Sequence, residues 1–199
     1  MATHTILVVN TGSTSTKIAI ASNDTIVRSE KINHSSDDVH RCDDIWSQYA
    51  SRLAFCKQWA GQHLTECSAV VAIGGLLRSL EGGTYRINSK MIDDARRNLQ
   101  GEHASNLGCA IASDIAEQFC CPAFVVDPVS VDEFQQLAYY SGHPAIKRKT
   151  LSHALNIHAV ARCAAKEVNI PLERSSFIVA HLGGGISIAP VRSGKIIDV

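Results

Sequence analysis

The feature that most constrains the fold is an apolar, β-branched run near the N-terminus that is broken by a loop of glycine and hydroxyl residues. Residues 6–9 have the composition of a buried strand, and residues 17–21 resume as a second strand. Only Asn10-Thr11-Gly12-Ser13-Thr14-Ser15-Thr16 separates them. Because so short a connection joins antiparallel neighbours, and residues 25–32 alternate again after the Asn23-Asp24 turn, the chain is expected to begin as a β-meander.

After the meander, predicted strands alternate with predicted helices. Apolar periodicity predicts helices over residues 43–62, 89–99, 104–119 and 151–168, and strands over residues 68–73, 85–87, 122–126 and 177–182. Residues 186–189 and 194–197 are expected to pair as a hairpin that turns at Arg192-Ser193-Gly194. Asp43 or Asp44 is the expected cap of the first helix and Ser89 of the second, while His158 is expected on the exposed side of the last helix. The fold class is α/β with a mixed sheet.

Charge and composition exclude several classes of protein. Lys+Arg and Asp+Glu both number 19, so the formal net charge is +0, whereas nucleic-acid binders carry a basic excess. No apolar run approaches the ~18 residues of a membrane span, and no signal peptide is visible. The seven cysteines are an odd number without C-x-x-C spacing, which disfavours zinc sites and a disulfide framework. Free, mostly buried thiols indicate a reducing, cytoplasmic location. The neutral charge balance and the short apolar runs predict neither nucleic acid nor a membrane as a partner.

The loop after the first strand has the composition of a phosphate-binding loop. Gly12 and the hydroxyl residues around it in a tight hairpin would direct N–H and O–H donors into one small volume, and Lys17 adds a positive charge. The spacing is not that of a Walker A loop, and a strand follows instead of a helix. A plain polar hairpin turn is the alternative, and these residues alone leave the two open.

A second loop of this kind is His181-Leu182-Gly183-Gly184-Gly185, which follows a predicted buried strand. Three glycines allow the backbone to approach a ligand closely. The spacing is not G-x-G-x-x-G and no helix follows, so a dinucleotide site is disfavoured. A glycine-rich bend in a sheet is the alternative, although each of the two loops strengthens the phosphate interpretation of the other.

Motifs spread in order along nearly the whole chain resemble those of the butyrate kinases, in the acetate and butyrate kinase family of the actin-like ATPase superfamily. They are ILVVNTGSTSTKIA from residue 6, EGGTY from 81, GEHASNLG from 101, VVDPV from 125, SHALN from 152 and HLGGG from 181. The resemblance is to the N-terminal part of these kinases only. It implies an actin-like (ribonuclease H-like) fold in which residues 1–149 form the first lobe and residues 150–199 begin a second, truncated lobe.

The resemblance also implies an activity. The family transfers the γ-phosphoryl group of ATP to a short carboxylic acid with Mg²⁺, giving an acyl phosphate and ADP. For this chain it implies butyrate or a similar short or branched fatty acid as substrate, ATP/ADP and Mg²⁺ as cofactors, and a homo-oligomer in the full-length family. The chemistry is consistent with such a site, because the main barrier is the approach of two anions, which donors and cations can lower.

Residue roles follow from the resemblance position by position. It implies that Asn10 lies near the metal and the phosphates. The first phosphate loop corresponds to Gly12, Ser13, Ser15 and Lys17, and the second to His181, Gly183, Gly184 and Gly185. The implied catalytic residues are His103, which lines the acid and phosphoryl site, Asp127, which acts with Mg²⁺ or as a base, and His153, which hydrogen-bonds the transferring phosphoryl group. All of them are expected to line one cleft.

Two departures from the family keep another function open. Butyrate kinases usually have Gly-Arg before Gly74-Gly75, where the arginine meets the substrate carboxylate, but this chain has Ala72 and Ile73. Arg78 or Arg148 could substitute. Family members also continue beyond Val199, so the 199-residue chain alone is expected to lack appreciable activity. The alternative is a non-catalytic member of the fold that binds anions or self-associates without turnover.

Overall fold

The structure, a computed structural model, describes residues 3–34, 44–183 and 185–199. The chain forms two compact units, which are described separately. The first unit comprises residues 1–77 and 84–126, and the second comprises residues 78–83 and 127–199. This division lies earlier in the chain than the predicted lobe boundary near residue 149, which stays a prediction about the lobes of a whole kinase.

The first unit is built on a six-stranded mixed sheet. Its strands are β1 (Thr5–Thr11), β2 (Ser15–Ser22), β3 (Thr25–Asn33), β4 (Ala69–Ile73), β5 (Thr84–Arg86) and β6 (Ala123–Val126). The order is β3-β2-β1-β4-β6-β5, with parallel pairing of β4 to β1 and β6 and antiparallel pairing elsewhere. The predicted meander and the mixed sheet are therefore confirmed.

The described residues of the first unit form the helices α1 (Tyr49–His63), α2 (Ser89–Arg96) and α3 (Leu107–Gln118). Short 3-10 helices at Ile45–Gln48 and Ala104–Asn106 precede α1 and α3. Asp44 caps the first of these by accepting the Ser47 amide, as expected. The prediction of Ser89 as a cap is wrong, because extended Asn88 accepts the Met91 amide at 3.0 Å and Ser89 is already helical.

The core of the first unit lies between the sheet and helices α1 and α3. Alternate residues of β1 and β2 point into it because successive strand residues face opposite sides of a sheet, and they meet the apolar sides of both helices. Its fully buried members include Leu7, Val9, Val70, Cys56, Leu107, Ile111 and Ile115. This packing fixes the end of β1, where the first loop begins.

The GEHASNLG motif packs the start of α3 against the end of β4. A side chain at Gly108 would collide with the Ile73 carbonyl oxygen, so glycine permits the close approach. Buried Asn106 accepts the Leu76 amide at 2.9 Å and donates to the Gly101 carbonyl at 2.9 Å. The motif therefore has a structural function as well as the predicted functional one at His103.

The second unit contains α4 (Ala154–Glu167) and a three-stranded antiparallel sheet of β7 (Ser176–Leu182), β8 (Ile186–Arg192) and β9 (Lys195–Ile196). It also has 3-10 helices at Gln136–Tyr139 and Leu172–Arg174. Its core includes Val131, Ile157, Ala161, Val179, Ala189 and Val191. The predicted final hairpin is confirmed, with Ser193 and Gly194 at positive φ in its turn.

The expectation that His158 is exposed is wrong. Its side chain is 5% exposed because it lies on the buried side of α4 between two carboxylates, those of Asp127 and Glu133. Helical periodicity in that region is ambiguous because α4 is rich in alanine, which suits either face. The burial of a polar residue on such a helix can therefore be predicted only when the residues that pair with it are known.

The thiols and the helices agree only in part with expectation. All six described cysteines are free, but only Cys56, Cys67 and Cys109 are buried. Cys120 lies in the exposed turn after α3 and Cys163 on the exposed side of α4, so the prediction of mostly buried thiols is wrong for the described residues. Cys42 lies outside the described residues.

Two other expectations concern helices. Asp43, the other predicted helix cap, lies outside the described residues. No helix in the described ranges is long and apolar enough to cross a membrane.

Candidate functional site

The first loop is a tight hairpin connection between β1 and β2. The Gly12 amide donates to the Ser15 carbonyl at 2.8 Å, which closes the loop. Ser13 and Thr14 are exposed at its tip, while Ser15 is buried where β2 begins. A tip of this kind, with polar groups on an ordered turn, can bind an oxyanion by donating hydrogen bonds to it.

A buried arginine that the sequence analysis missed lies behind this loop. Arg52 of α1 is 1% exposed, and its Nη1 donates to the Gly12 carbonyl at 2.9 Å and to Thr16 Oγ1 at 3.2 Å. Its Nε and Nη2 donate to the Gln48 side chain. The available signal was position, since residue 52 falls on the apolar side of the predicted helix, where a charged residue needs a reason.

His103 is the implied catalytic residue that the structure brings to the first loop. Its Nε2 lies 3.4 Å from Ser13 Oγ, and its Nδ1 accepts the Ser105 amide at 3.2 Å. Because Nδ1 accepts, the neutral ring carries its proton on Nε2. Partial burial lowers the pKa of His103. The ring is therefore a neutral N–H donor directed toward the loop at neutral pH.

Asn10 and Lys17 lie beside the loop on the strands and not within its tip. They are direct cross-strand partners in the β1–β2 register, and Lys17 is also opposite Lys31 of β3. All three line a shallow concavity of about 400 Å³ on this face of the sheet. The ladder therefore places one amide and two ammonium groups close together next to the first loop.

In the second unit, the HLGGG loop connects β7 and β8 and lies over two histidines. His153, at the start of α4, and His181, at the end of β7, stack with ring centroids 3.8 Å apart. Ser187 Oγ forms a hydrogen bond of 2.9 Å with His153 Nδ1, and Asn156 Oδ1 forms one of 3.1 Å with His181 Nδ1. Gly183 and Gly185 are both exposed beside these rings, whereas Gly184 lies outside the described residues.

Asp127, the third implied catalytic residue, is buried in an ionic cluster. Its Oδ1 accepts the Gly83 amide at 2.7 Å and its Oδ2 lies 3.1 Å from His158 Nδ1. The other His158 nitrogen, Nε2, lies 3.0 Å from Glu133 Oε2. Glu133 also accepts the amides of Gly82 and Ile196. The cluster thus ties the turn at residues 81–83 to α4 and β9.

The charges in this cluster stabilise one another. Burial alone would lower the pKa of His158, but its hydrogen bonds to Asp127 and Glu133 and their charges outweigh that effect and raise the pKa to about 9. Burial alone would raise the pKa of Asp127 and of Glu133, but the same imidazolium and the backbone amides lower both. All three groups are therefore charged at neutral pH.

The predicted site residues fall in both units. The first unit holds Asn10, Gly12, Ser13, Ser15, Lys17 and His103, and the second holds Asp127, His153, His181, Gly183 and Gly185. Contacts join His103 to the first loop and His153 to His181. That all of these residues line one cleft stays a prediction. Within the described ranges, no group of three or more His, Cys, Asp or Glu side chains is arranged to hold a metal ion.

The two arginines considered as replacements differ in their surroundings. Arg148 pairs with Asp198 at 2.8 Å and donates to the Ala138 carbonyl at 3.0 Å. Arg78 is exposed in the second unit, and Ile73 ends β4 in the first. The charge of Arg148 is therefore already engaged by a carboxylate of this chain.

Comparison with known proteins gives a consistent family relationship. No family model matches the chain. A probable butyrate kinase of Listeria monocytogenes serotype 4b (strain CLIP80459) is 43% identical over 197 residues, which is 98% of this chain and 56% of the relative. Butyrate kinase 2 of Clostridium acetobutylicum is 46% identical over 198 residues, 98% of this chain and 55% of the relative. The chain therefore spans about half the length of these curated relatives.

Solved structures agree on the fold. The acetate kinase of Porphyromonas gingivalis superposes with a TM-score of 0.66 at 17% identity, over 98% of this chain and 56% of that one. A propionate kinase from Francisella tularensis gives a TM-score of 0.66 at 20% identity, with the same coverage. At such identity the likeness shows the fold alone, and it confirms the actin-like fold that the motifs implied.

Proposed function

We propose that this chain, which matches the N-terminal part of the butyrate kinases along nearly its whole length, is the phosphate-binding part of an ATP-dependent carboxylate kinase. The observation that carries the proposal is the first loop, with its exposed Ser13-Thr14 tip and the neutral His103 donor beside it. Donors converge there on a small exposed volume at a strand end, as phosphate binding requires.

The reaction proposed is transfer of the γ-phosphoryl group of ATP to butyrate or a similar short or branched acid. A carboxylate oxygen forms a bond to the γ-phosphorus while the bond from that phosphorus to the ADP oxygen breaks, giving an acyl phosphate and ADP. The ionised acid is already a nucleophile, so no proton has to be removed. What the site must supply is positioning and neutralisation of charge on the phosphoryl oxygens.

The residues of this chain suit those two tasks. The amides and hydroxyl of the first loop would hold phosphate oxygens, with His103 Nε2–H as a further donor. The stacked imidazoles of His153 and His181 would offer ring nitrogens to the transferring group from beneath the second loop. Asp127 fits a role in positioning the turn at residues 81–83, since its carboxylate already accepts the Gly83 amide and pairs with His158.

Magnesium is part of the proposal. Mg²⁺ prefers oxygen ligands and usually takes few from the protein and the rest from phosphates and water. The amide oxygen of Asn10, next to Lys17 and the first loop, is of this chemical kind, so Asn10 would contribute to holding it. When bound, Mg²⁺ would neutralise charge on the phosphate oxygens.

Location and assembly belong to the same proposal. The free thiols support a cytoplasmic location, and homo-oligomerisation is proposed for the full-length protein.

A second candidate is a phosphate-binding protein without turnover. Ile73 stands where butyrate kinases usually have the arginine expected to meet the substrate carboxylate, and Arg148 is engaged by Asp198. Two anions that approach without that cation repel each other. Ile73 is the observation that favours this candidate, and it affects the acid side of the site but not the phosphate loops.

One assay separates the two candidates. The chain, and the product of its complete gene, are incubated with MgATP, hydroxylamine and butyrate, isobutyrate or propionate, and the acyl hydroxamate is measured. The kinase proposal expects hydroxamate from the complete gene product and its loss in His153→Ala. ATP binding without hydroxamate from any of the acids would favour the non-catalytic candidate. Gly142→Ala is the control, because a side chain at exposed Gly142 would meet no atom within 4 Å.

A further inference from the structure

The buried Arg52 side chain fixes the direction of the peptide groups in the first loop. Its Nη1 donates to the Gly12 carbonyl at 2.9 Å, and its Nη2 reaches the Ser13 carbonyl at 3.5 Å. One guanidinium therefore holds the carbonyl groups of two successive peptides on the inner side of the loop. The second contact is at the limit of hydrogen bonding, so the Gly12 bond is the stronger constraint.

Peptide geometry converts this constraint into a direction for the amides. In a planar trans peptide, the carbonyl of one residue and the N–H of the next point in opposite directions. Since the carbonyls of Gly12 and Ser13 point toward Arg52, the N–H groups of Ser13 and Thr14 point away from it. Both residues are exposed, and within the described ranges neither amide donates a hydrogen bond to another residue.

The position of Arg52 itself is set by neighbours and not by solvent. Gln48, one helical turn earlier, accepts from its Nε at 3.1 Å and its Nη2 at 2.7 Å, while Thr16 accepts from its Nη1 at 3.2 Å. A fork of five donors is needed to satisfy all these acceptors together, which lysine cannot do. The same group brings a positive charge behind the loop.

We propose that Arg52 is a positioning residue that turns the Ser13 and Thr14 amides outward and thereby creates the anion site of the first loop. Arg52 touches no phosphate itself. It acts through the Gly12 and Ser13 carbonyls, and its charge adds to the attraction of the loop for an anion. The inference rests on the proposed function, because it takes the first loop to be a phosphate site.

The test uses inorganic tripolyphosphate, which carries three linked phosphates without a nucleoside. The ¹⁵N-labelled chain is titrated with it below the lowest Tm of the set, and the amide shifts of Ser13 and Thr14 are followed. The variants are Arg52→Met and Arg52→Lys. The matched control is Ala60→Gly, which destabilises the same helix at a buried position two turns away without touching the loop.

The expected result is saturable shifts at both amides in the wild type and in Ala60→Gly. Affinity should fall about tenfold or more in Arg52→Met, the factor that accompanies loss of charge-assisted hydrogen bonds. Arg52→Lys keeps the charge but reaches fewer acceptors, so a fall of at least several-fold is expected there too. That variant decides the matter if Arg52→Met does not fold.

Two other results would overturn the inference in distinguishable ways. If the wild type binds at the loop and the folded Arg52 variants bind equally well, or if Ala60→Gly weakens binding as much as they do, the positioning role fails while the phosphate loop stands. If the wild type shows no saturable shift at Ser13 and Thr14, the phosphate loop fails, and the role of Arg52 fails with it.

Discussion

The imidazole rings of His153 and His181 stack face to face, with centroids 3.8 Å apart and planes inclined by 9°. The two residues are far apart in sequence, one before α4 and the other at the end of β7. Ser187 and Asn156 fix the two rings through their Nδ1 atoms. The second glycine loop lies directly beside them.

The glycines of that loop should differ in their tolerance of a side chain. A Cβ at Gly185 would lie 3.0 Å from Cε1 of His153, which forces the ring to move, whereas a Cβ at Gly183 would lie 3.4 Å from Nε2 of His181, an ordinary contact. Gly185→Ala should therefore shift the His153 ring resonances and Gly183→Ala should not. Equal perturbation by both variants would contradict the described loop.

The Asp127–His158–Glu133 cluster should make stability depend on pH. The folded pKa of His158, about 9, is raised above the ordinary histidine value of about 6.5, so its contribution to stability is complete below pH 6.5 and is lost as pH rises toward 9. The size is roughly 3 kcal/mol, at about 1.4 kcal/mol per pKa unit. The lowered pKa values of Asp127 and Glu133 act at the other end, where stability is lost as pH falls below about 4.

The measurement for this cluster is the urea midpoint of the wild type and of His158→Gln, followed by far-UV circular dichroism at pH 6 and pH 9.5. The gap between the two proteins should be large at pH 6 and should shrink at pH 9.5, where the wild-type imidazole is neutral. A gap that is the same at both pH values would show that His158 contributes by packing and not by charge.

Gly82 should be intolerant of substitution because it lies against the same cluster. A Cβ there would lie 2.7 Å from Glu133 Oε1 and 2.7 Å from His158 Cε1, so Gly82→Ala must displace buried charged groups. We expect destabilisation of about 1–3 kcal/mol, as for overpacking elsewhere. Gly142→Ala, which meets nothing within 4 Å, is the control in the same denaturation experiment. A Gly82→Ala protein as stable as that control would refute this packing.

His103 should titrate below an ordinary histidine. Partial burial lowers its pKa below the ordinary histidine value, so its ring proton resonances should have a lower midpoint in the folded chain than those of an exposed histidine. Folding then becomes less favourable as pH falls through that range, since the unfolded state binds the proton more readily. The signal is assigned with His103→Gln, and a midpoint at or above that of an ordinary histidine would contradict the lowered pKa of His103.

Local signals in the sequence were sufficient for most of the fold. The β1–β2–β3 meander follows from β-branched runs separated by short turns, and the turn at Arg192-Ser193-Gly194 follows from its residue types. These features depend on neighbours along the chain. Helix ends were less certain, because Asn88 and Ser89 are both good caps and only the extended backbone of Asn88 decides between them.

The rest depends on contacts between residues distant in sequence. Arg52 lies 40 residues from the Gly12 carbonyl that it holds, and no local pattern indicates that pairing. Sequence alone places His158 on the surface because its partners, Asp127 and Glu133, belong to another segment of the chain. In both cases the clue was a polar residue on a helix, whose role only tertiary structure reveals.

The most direct test of the central claim is whether the first loop binds the phosphates of a nucleotide. The ¹⁵N-labelled chain is titrated with MgATP while the amides of Ser13 and Thr14, both exposed at the tip of the loop, are followed. The account predicts saturable shifts at both amides with the same midpoint concentration. No saturable shift at either amide would contradict the claim that this loop is a phosphate site.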